Sequence, residues 1–341
     1  MTINSTDFRI GATASLPFPE PRLTPPATPL IPAGWLISAL AVSGLVVVAM
    51  MAWAGLIIMP VSFGFIATVA IMAPPALGRF WLRRPNSPRQ RRLAAFCEDA
   101  FLFLAISLLG VLASYPAAAA TKGFADPALA HVDRLLHFDW LAWYGVVSAS
   151  PWLQRLGAVA YAAIYVTPAL LLGWFALTDR RCEARQFLVT FWLAAVLTLA
   201  AFPLFPAEGP LAYLWHGPIP YMPTSALYQQ ELIPALRAHQ MTGIDLAALR
   251  GLVCAPSFHT ASAVVFMAAA WPVARLWRLT LPINLAMLAA TPVEGTHYLA
   301  DMIAGALVGA LAVAIVRSVL GLLAPPDETA GAPWLRSRSA A

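Results

Sequence analysis

Charge is scarce in this sequence. Only 11% of the 341 residues are charged, whereas a soluble domain carries roughly 25%. Lysine is represented by Lys122 alone, so the formal net charge of +5 comes almost entirely from arginine. Hydrophobic residues make up 60% of the chain. We therefore expect a polytopic membrane protein with arginines in short loops between apolar runs, not a nucleic-acid-binding surface.

Cysteine is also scarce. Cys97, Cys182 and Cys254 lie far apart in the chain, which favours buried thiols over a disulfide framework. The chain shows no repeated halves of the kind many transporters have. We expect neither a cofactor nor a metal. Two histidines and an aspartate could ligate iron or zinc, so a metal site stays open as an alternative.

The distribution of apolar runs predicts an all-α transmembrane bundle of about eight crossings. Residues 1–32 are rich in proline, serine and threonine, which predicts a disordered tail. The run 33–78 has no charge and is long enough for two crossings, so 33–92 is expected to be a transmembrane hairpin followed by a basic cytoplasmic loop. Residues 93–322 would form a catalytic membrane domain with a core of about six helices. Residues 323–341 would be a cytoplasmic tail.

The catalytic region is predicted to have crossings at about 94–115, 153–178, 186–204, 257–274, 279–297 and 301–322. Segment 116–152 has the tryptophans of an interfacial segment, with Asp133 and Asp139 expected on solvated faces. Segment 205–253 is predicted to be a lid or headgroup-binding loop with an amphipathic helix around Leu232–Leu252. A plain connector is the alternative for it.

Most arginines fall on one side of this arrangement, which predicts that both termini are cytoplasmic. The opposite ends of the crossings then lie at the exterior. In a bacterial inner membrane, the expected location, that side is the periplasm.

Three ionisable side chains stand out in the last apolar runs. His259 follows Ser257 in the segment PSFH, and His297 ends the next apolar run. Asp301 follows His297 by one helical turn, so the two share a helix face. Ionisable groups are costly at membrane depth and indicate a functional site by default. A helical hairpin between the two runs would bring all three to one membrane surface.

This set predicts nucleophilic catalysis by histidine. A carboxylate, Asp301, would fix the tautomer of His297, whose free nitrogen could attack phosphorus, and His259 could protonate the leaving oxygen. Ser257, Arg250 and Glu208 are candidate phosphate- or substrate-binding residues. Each also has a plainer interpretation: a helix N-cap for Ser257, a surface cation for Arg250 and a loop residue for Glu208. Either histidine alone would be more typical of packing.

Other polar residues near the motif receive structural interpretations. Glu294, one turn before His297, could orient it, but an unrelated polar contact is favoured. Tyr298 is predicted to be an interfacial anchor. Cys254 is given no role.

PSFH and GTHYLAD resemble the second and third signature motifs of the PAP2 (type 2 phosphatidic acid phosphatase) superfamily. The resemblance covers about 93–322 and implies His297 as nucleophile, Asp301 as its partner and His259 as general acid. Two cationic features of the phosphatases are missing: Thr291 stands where they have an arginine, and FPLFPAEGP has no cation. In this the chain is similar to the inositol phosphorylceramide synthase (Aur1-type) branch.

The leading functional hypothesis is therefore a lipid phosphotransferase that moves a phospho-headgroup at the outer face. The alternative is a phosphatase acting on a phospholipid or prenyl phosphate, and a less favoured one is a non-catalytic transporter or scaffold. The expected partners are membrane lipids and the bilayer, with no nucleic acid. The sequence leaves the oligomeric state open.

Overall fold

The structure is a computed structural model that describes residues 31–60 and 62–323. The predicted N-terminal tail falls almost entirely outside this range, as does the predicted C-terminal tail. The described part of the chain is an all-α assembly, as the sequence predicts, with one two-stranded pair. Its helices are α1 (Ala33–Ala54), α2 (Phe63–Trp81), α3 (Pro88–Ala119), α4 (Asp126–Leu135), α5 (Trp140–Ser148), α6 (Pro151–Tyr161), α7 (Ala163–Leu177), α8 (Arg181–Ala201), α9 (Pro210–Leu214), α10 (Tyr228–Arg237), α11 (Phe258–Ala270), α12 (Ala274–Glu294) and α13 (Leu299–Leu323).

Each predicted crossing corresponds to a helix or a helix pair. Among the described residues, α1, α2, α3, α8 and α13 are long and apolar enough to span a membrane, and α6 with α7 forms a sixth candidate bent by 41°. The sequence analysis predicted a single crossing at about 153–178 there. Helix α11 has only 13 residues, fewer than the ~20 of a full crossing. These apolar helices indicate a multi-pass membrane protein.

The core of the bundle is aromatic and lies between α3, α7, α8, α11 and α13. Phe187 and Phe191 of α8 pack against Phe103 of α3 and Phe266 of α11, with ring centroids 4.9–6.3 Å apart. These are spacings at which aromatic pairs attract beyond their area burial. This packing fixes α11, the helix that carries His259, against the rest of the bundle.

Two glycines allow α11 and α13 to approach closely. A Cβ at Gly305 would lie 2.2 Å from the Ser257 carbonyl oxygen, and one at Gly309 would lie 2.6 Å from that of Ala261. Small residues four apart are a common contact between membrane helices because they let backbones touch. The backbone N–H of Ser257 also donates to the carbonyl of Asp301 at 3.0 Å. The start of α11 is thereby joined to the first turn of α13.

The N-terminal hairpin of α1 and α2 packs on α3 and exposes large apolar side chains, including Trp35, Leu45 and Phe63. Its connecting turn pairs with the long insertion, because Ile57–Ile58 forms a parallel two-residue ladder with Gly243–Ile244. The outward apolar surface is what lipid-facing helices require. The ladder holds the second half of the insertion in place.

The insertion differs from its prediction. Its amphipathic helix is α10, which ends at Arg237 rather than continuing to Leu252. His239 has a left-handed φ of 51°, a conformation that stops a helix. The chain then forms the short strand and a 3-10 turn at Leu246–Ala248.

Charges gather at the end of the bundle where α3 begins. Glu98 accepts from Arg79 at 2.6 Å and also pairs with Arg185, while Arg181 lies 3.7 Å from Asp99. At the opposite end of α3, the hydroxyl of Tyr115 accepts from the backbone N–H of Arg250, in the segment before PSFH, at 3.0 Å. At 1.5 Å per residue, Tyr115 lies about 25 Å from Glu98 along the helix. The charged cluster and the two histidines therefore occupy opposite ends of the bundle.

Candidate active site

The two histidines that the sequence singled out lie side by side. His259 is the second residue of α11, and His297 lies in the turn between α12 and α13. Their ring centroids are 6.3 Å apart. A tetrahedral phosphoryl group can contact two imidazoles at such a separation.

His297 is paired with Asp301 as the one-turn spacing predicts. Nδ1 of His297 lies 3.0 Å from Oδ1 of Asp301, and both side chains are buried. Oδ2 of Asp301 accepts from the backbone N–H of Tyr298 at 2.9 Å. An ionised carboxylate can only accept, so Nδ1 of His297 carries the proton and Nε2 keeps its lone pair. Nε2 has no hydrogen-bond partner among residues 31–60 and 62–323.

His259 is held by a residue that the sequence analysis missed. Nδ1 of His259 lies 3.1 Å from the hydroxyl of Tyr161, and the two rings stack with centroids 4.0 Å apart. Tyr161 is the last residue of α6, at the bend before α7. A tyrosine hydroxyl that donates to Nδ1 leaves the proton of a neutral imidazole on Nε2. His259 then presents an N–H donor to the site.

The turn that carries His297 is fastened by two buried carboxylates of α4. Asp133 accepts from the backbone N–H groups of Leu299 and Ala300 at 3.0 and 2.8 Å. It caps α13 from another helix and also satisfies donors that a helix start leaves free. The prediction that Asp133 lies on a solvated face was wrong, since only 4% of the residue is exposed. Burial raises its pKa, and these backbone N–H groups oppose the rise.

Asp126 is the second of these carboxylates and is fully buried. It accepts from the hydroxyl of Tyr298 at 2.9 Å and from the backbone N–H groups of Glu208 and Gly209 at 3.0 and 2.9 Å. Tyr298 is therefore an internal hydrogen-bonded residue and not the interfacial anchor that the sequence suggested. One carboxylate thus joins the turn of His297 to the segment FPAEGP.

The three candidate binding residues lie in different surroundings. Ser257 is the N-cap residue of α11 without a capping hydrogen bond, and its buried hydroxyl accepts from Thr260 at 3.3 Å. The guanidinium of Arg250 lies 5.8 Å from the ring centroid of Tyr228. Burial raises the pKa of Glu208, as does the nearby Asp126. In the described part of the chain, neither Arg250 nor Glu208 has a hydrogen bond to His259 or His297.

Glu294 anchors the insertion rather than His297. Its buried carboxylate accepts from the hydroxyl of Tyr221 at 2.7 Å and from the backbone and hydroxyl of Thr224 at 3.1 and 2.6 Å. These bonds agree with the favoured interpretation from the sequence, a polar contact unrelated to His297. Its effect is to close residues 221–225 over the end of α12.

Cys254, which was given no role from the sequence, lies beside His297 and Asp301. Its Sγ is 3.6 Å from Oδ2 of Asp301 and 4.0 Å from Nδ1 of His297. Donor atoms of these three residues lie within 4.8 Å of one another. The set could hold a metal ion, and it differs from the His-His-Asp set considered from the sequence.

A cavity of about 460 Å³ adjoins the α4–α5 region. Asp133, Arg134, His137, Trp140 and Tyr298 are among its lining residues, whereas His259 and His297 are not. This cavity is therefore separate from the candidate catalytic pair.

The sequence did contain a signal for the two buried carboxylates of α4. Asp126, Ala130 and Asp133 recur at helical spacing, and all three are buried on one face of α4. Two carboxylates on one face of a short helix predict a polar internal contact. Nothing local marks Tyr161, because its partner is 98 residues away.

The family comparison agrees with the motifs. A model described as PAP2 superfamily matches residues 127–315, which include α5–α12, both histidines and Asp301. No curated protein and no solved structure matches the chain significantly. Family membership supports phosphatase or phosphotransferase chemistry. With more than half of its length matched, the chain belongs to the PAP2 superfamily.

Proposed function

We propose that this protein is a lipid phosphotransferase that works through a phosphohistidine at His297. The observation that carries the proposal is the 3.0 Å contact between Nδ1 of His297 and Asp301. It leaves the lone pair of Nε2 free, and the ring of a second imidazole, His259, lies with its centroid 6.3 Å from that of His297. Deleting either imidazole should remove the activity.

The reaction proceeds in two displacements. Nε2 of His297 attacks the phosphorus of the donor lipid, and the bond from phosphorus to the leaving oxygen breaks. His259 acts as an imidazolium, with Nδ1–H on the hydroxyl oxygen of Tyr161. Its Nε2–H gives its proton to the leaving oxygen, so the ring becomes neutral and the donor departs as an alcohol. Asp301 stabilises the positive charge on the phosphorylated ring. The acceptor hydroxyl then attacks phosphorus, loses its proton to His259 and releases His297.

The absence of the phosphatase cations supports transfer over hydrolysis. Thr291, where the phosphatases have an arginine, is buried and donates to the carbonyl of Met287 in its own helix at 2.7 Å. A phosphate monoester carries up to two negative charges and a diester only one. A site poor in cations therefore suits a diester headgroup, with Arg250 as the candidate cation for it. The missing cations support an activity like that of the Aur1-type branch.

We further propose that the site faces the exterior, the periplasm in a bacterial inner membrane. The arginines around Glu98 occupy the opposite end of the bundle. Arginine-rich ends stay in the cytoplasm. The substrates would then be lipids of the outer leaflet.

The test uses purified protein with labelled phospholipid donors and diacylglycerol, ceramide or water as acceptors. We expect a labelled lipid product from the wild type and none from His297→Ala or His259→Ala. His131→Ala, which removes an exposed imidazole of α4, is the matched control and should remain active. Free phosphate as the sole product would support the phosphatase instead. Undiminished turnover by His297→Ala would refute the nucleophile.

A further inference from the structure

Cys254 is a buried nucleophile that the proposed reaction does not use. It precedes PSFH by two residues and is fully enclosed beside Asp301 and His297. Cys97 and Cys182, the other two cysteines, lie elsewhere, in α3 and α8. Only Cys254 joins a histidine and a carboxylate in a common cluster within the described residues.

The donor atoms of this cluster have the spacing of a metal site. Sγ of Cys254 lies 4.0 Å from Nδ1 of His297 and 3.6 Å from Oδ2 of Asp301, and Nδ1 lies 3.0 Å from Oδ1. With ordinary zinc bond lengths, tetrahedral edges are about 3.6 Å to sulfur and about 3.4 Å between nitrogen and oxygen. One carboxylate oxygen of Asp301 would serve as the third ligand, and a set of one donor atom from each residue lies within 4.8 Å of one another. The fourth vertex remains for water.

The charges also match a divalent cation. A thiolate at Cys254 and the carboxylate of Asp301 together neutralise two positive charges, which removes the cost of a net buried charge. Binding releases the thiol proton of Cys254, while the imidazole only changes its tautomer.

We propose that Cys254, His297 and Asp301 form an inhibitory site for zinc or another thiophilic divalent cation. A metal on Nδ1 of His297 moves the ring proton to Nε2, so the nucleophilic lone pair is lost. It also takes Asp301 away from its role beside the imidazole. Metal binding and phosphoryl transfer therefore exclude each other. The inhibition rests on the proposed function, whereas the binding site itself does not.

The binding test uses cadmium, because a cadmium–thiolate bond gives an ultraviolet charge-transfer band. The purified full-length protein in detergent is titrated with chelator-buffered Cd²⁺. Wild type, Cys97→Ser and Cys182→Ser should each develop the band at one cadmium per chain. Cys254→Ser should lose it, and Cys254→Ala serves as a second variant should the serine protein fail to fold. A band of unchanged amplitude in the folded Cys254 variants would overturn the site.

The inhibition test measures lipid turnover over buffered Zn²⁺ concentrations, each variant normalised to its own zinc-free rate. The half-inhibitory concentration should rise by at least about tenfold in Cys254→Ser, since loss of groups around a metal costs at least this in affinity. It should stay at the wild-type value in Cys97→Ser and Cys182→Ser. Equal inhibition of all four proteins would refute the proposal. A protein that shows the cadmium band but turns over no lipid would refute the proposed function while supporting the metal site.

Discussion

Replacing Asp301 by asparagine changes one oxygen of a buried carboxylate into an NH₂ group at nearly constant volume. The carboxylate accepts from Nδ1 of His297 on one oxygen and from the backbone N–H of Tyr298 on the other. Asparagine has a single acceptor oxygen. If that oxygen stays with Tyr298, the NH₂ group faces His297 and drives its ring proton to Nε2. If it turns to His297, the NH₂ group faces the backbone N–H.

Either orientation costs the reaction in two ways. An unsatisfied buried donor costs about 1–3 kcal/mol. The carboxylate's attraction for the cationic ring, about 4 kcal/mol for unit charges 4 Å apart at an effective dielectric of 20, is lost as well. The sum is about 5–7 kcal/mol, which lowers the rate by roughly four to five powers of ten. We expect Asp301→Asn to reduce kcat to this extent.

The assay is lipid turnover per folded protein, with thermal unfolding in detergent measured in parallel. Asp133→Asn is the matched control, because Asp133 also accepts from two backbone N–H groups but contacts neither imidazole. Both variants should lose stability, yet Asp133→Asn should remain at least about a hundredfold more active than Asp301→Asn. An Asp301→Asn protein with more than about a tenth of wild-type turnover would refute the tautomer argument.

Three further predictions follow from buried contacts. Asp126→Ala leaves a tyrosine hydroxyl and two backbone N–H groups without an acceptor, so it should lower the free energy of unfolding by about 3–6 kcal/mol. The control Asp139→Ala removes one exposed cap bond and should lower it by about 1 kcal/mol. Thermal unfolding of the two variants measures the difference. Gly305→Ala should lower activity and yield because its Cβ would lie 2.2 Å from a carbonyl oxygen of α11, while Gly321→Ala on the same helix meets open space. Tyr161→Phe keeps the stacked ring but removes the hydroxyl, so kcat should fall about ten- to a hundredfold with little change in KM.

Each of these has an outcome that contradicts it. Equal unfolding temperatures for the two aspartate variants would mean that the buried carboxylate is not needed by its three donors. A Gly305→Ala protein as active and abundant as Gly321→Ala would show that α11 and α13 are not in contact at that point. A Tyr161→Phe protein with wild-type kcat would separate the tyrosine hydroxyl from the proton transfer.

In the candidate site, sequence spacing predicts some of the contacts and tertiary packing determines the others. His297 and Asp301 are four residues apart, so the helix repeat alone makes their contact predictable. Tyr161 and His259 are 98 residues apart, and Tyr298 and Asp126 are 172 apart. No local pattern encodes such pairs. They exist because α6 and α4 pack beside the histidines.

The prediction for Asp133 was wrong because its burial depends on a contact that only tertiary packing creates. In sequence it lies in an amphipathic stretch with exposed neighbours such as Arg134 and Leu135, which is typical of a surface helix. Its burial depends on the start of α13 approaching from 166 residues away. A buried carboxylate is stable there because two free backbone N–H groups meet it.

Composition and periodicity by themselves determined that this chain is an apolar helical bundle in a membrane, with His259, His297 and Asp301 as its exceptional polar residues. Both properties are local: burying helix backbone in lipid requires long apolar runs, and helix geometry fixes neighbours four residues apart. Only the tertiary structure decided which tyrosine holds His259 and which carboxylates fix the turn of His297. It also decided that Cys254 lies beside His297 and Asp301. Those contacts depend on how separate helices pack, and that packing is fixed by the shapes of many side chains at once rather than by any single segment.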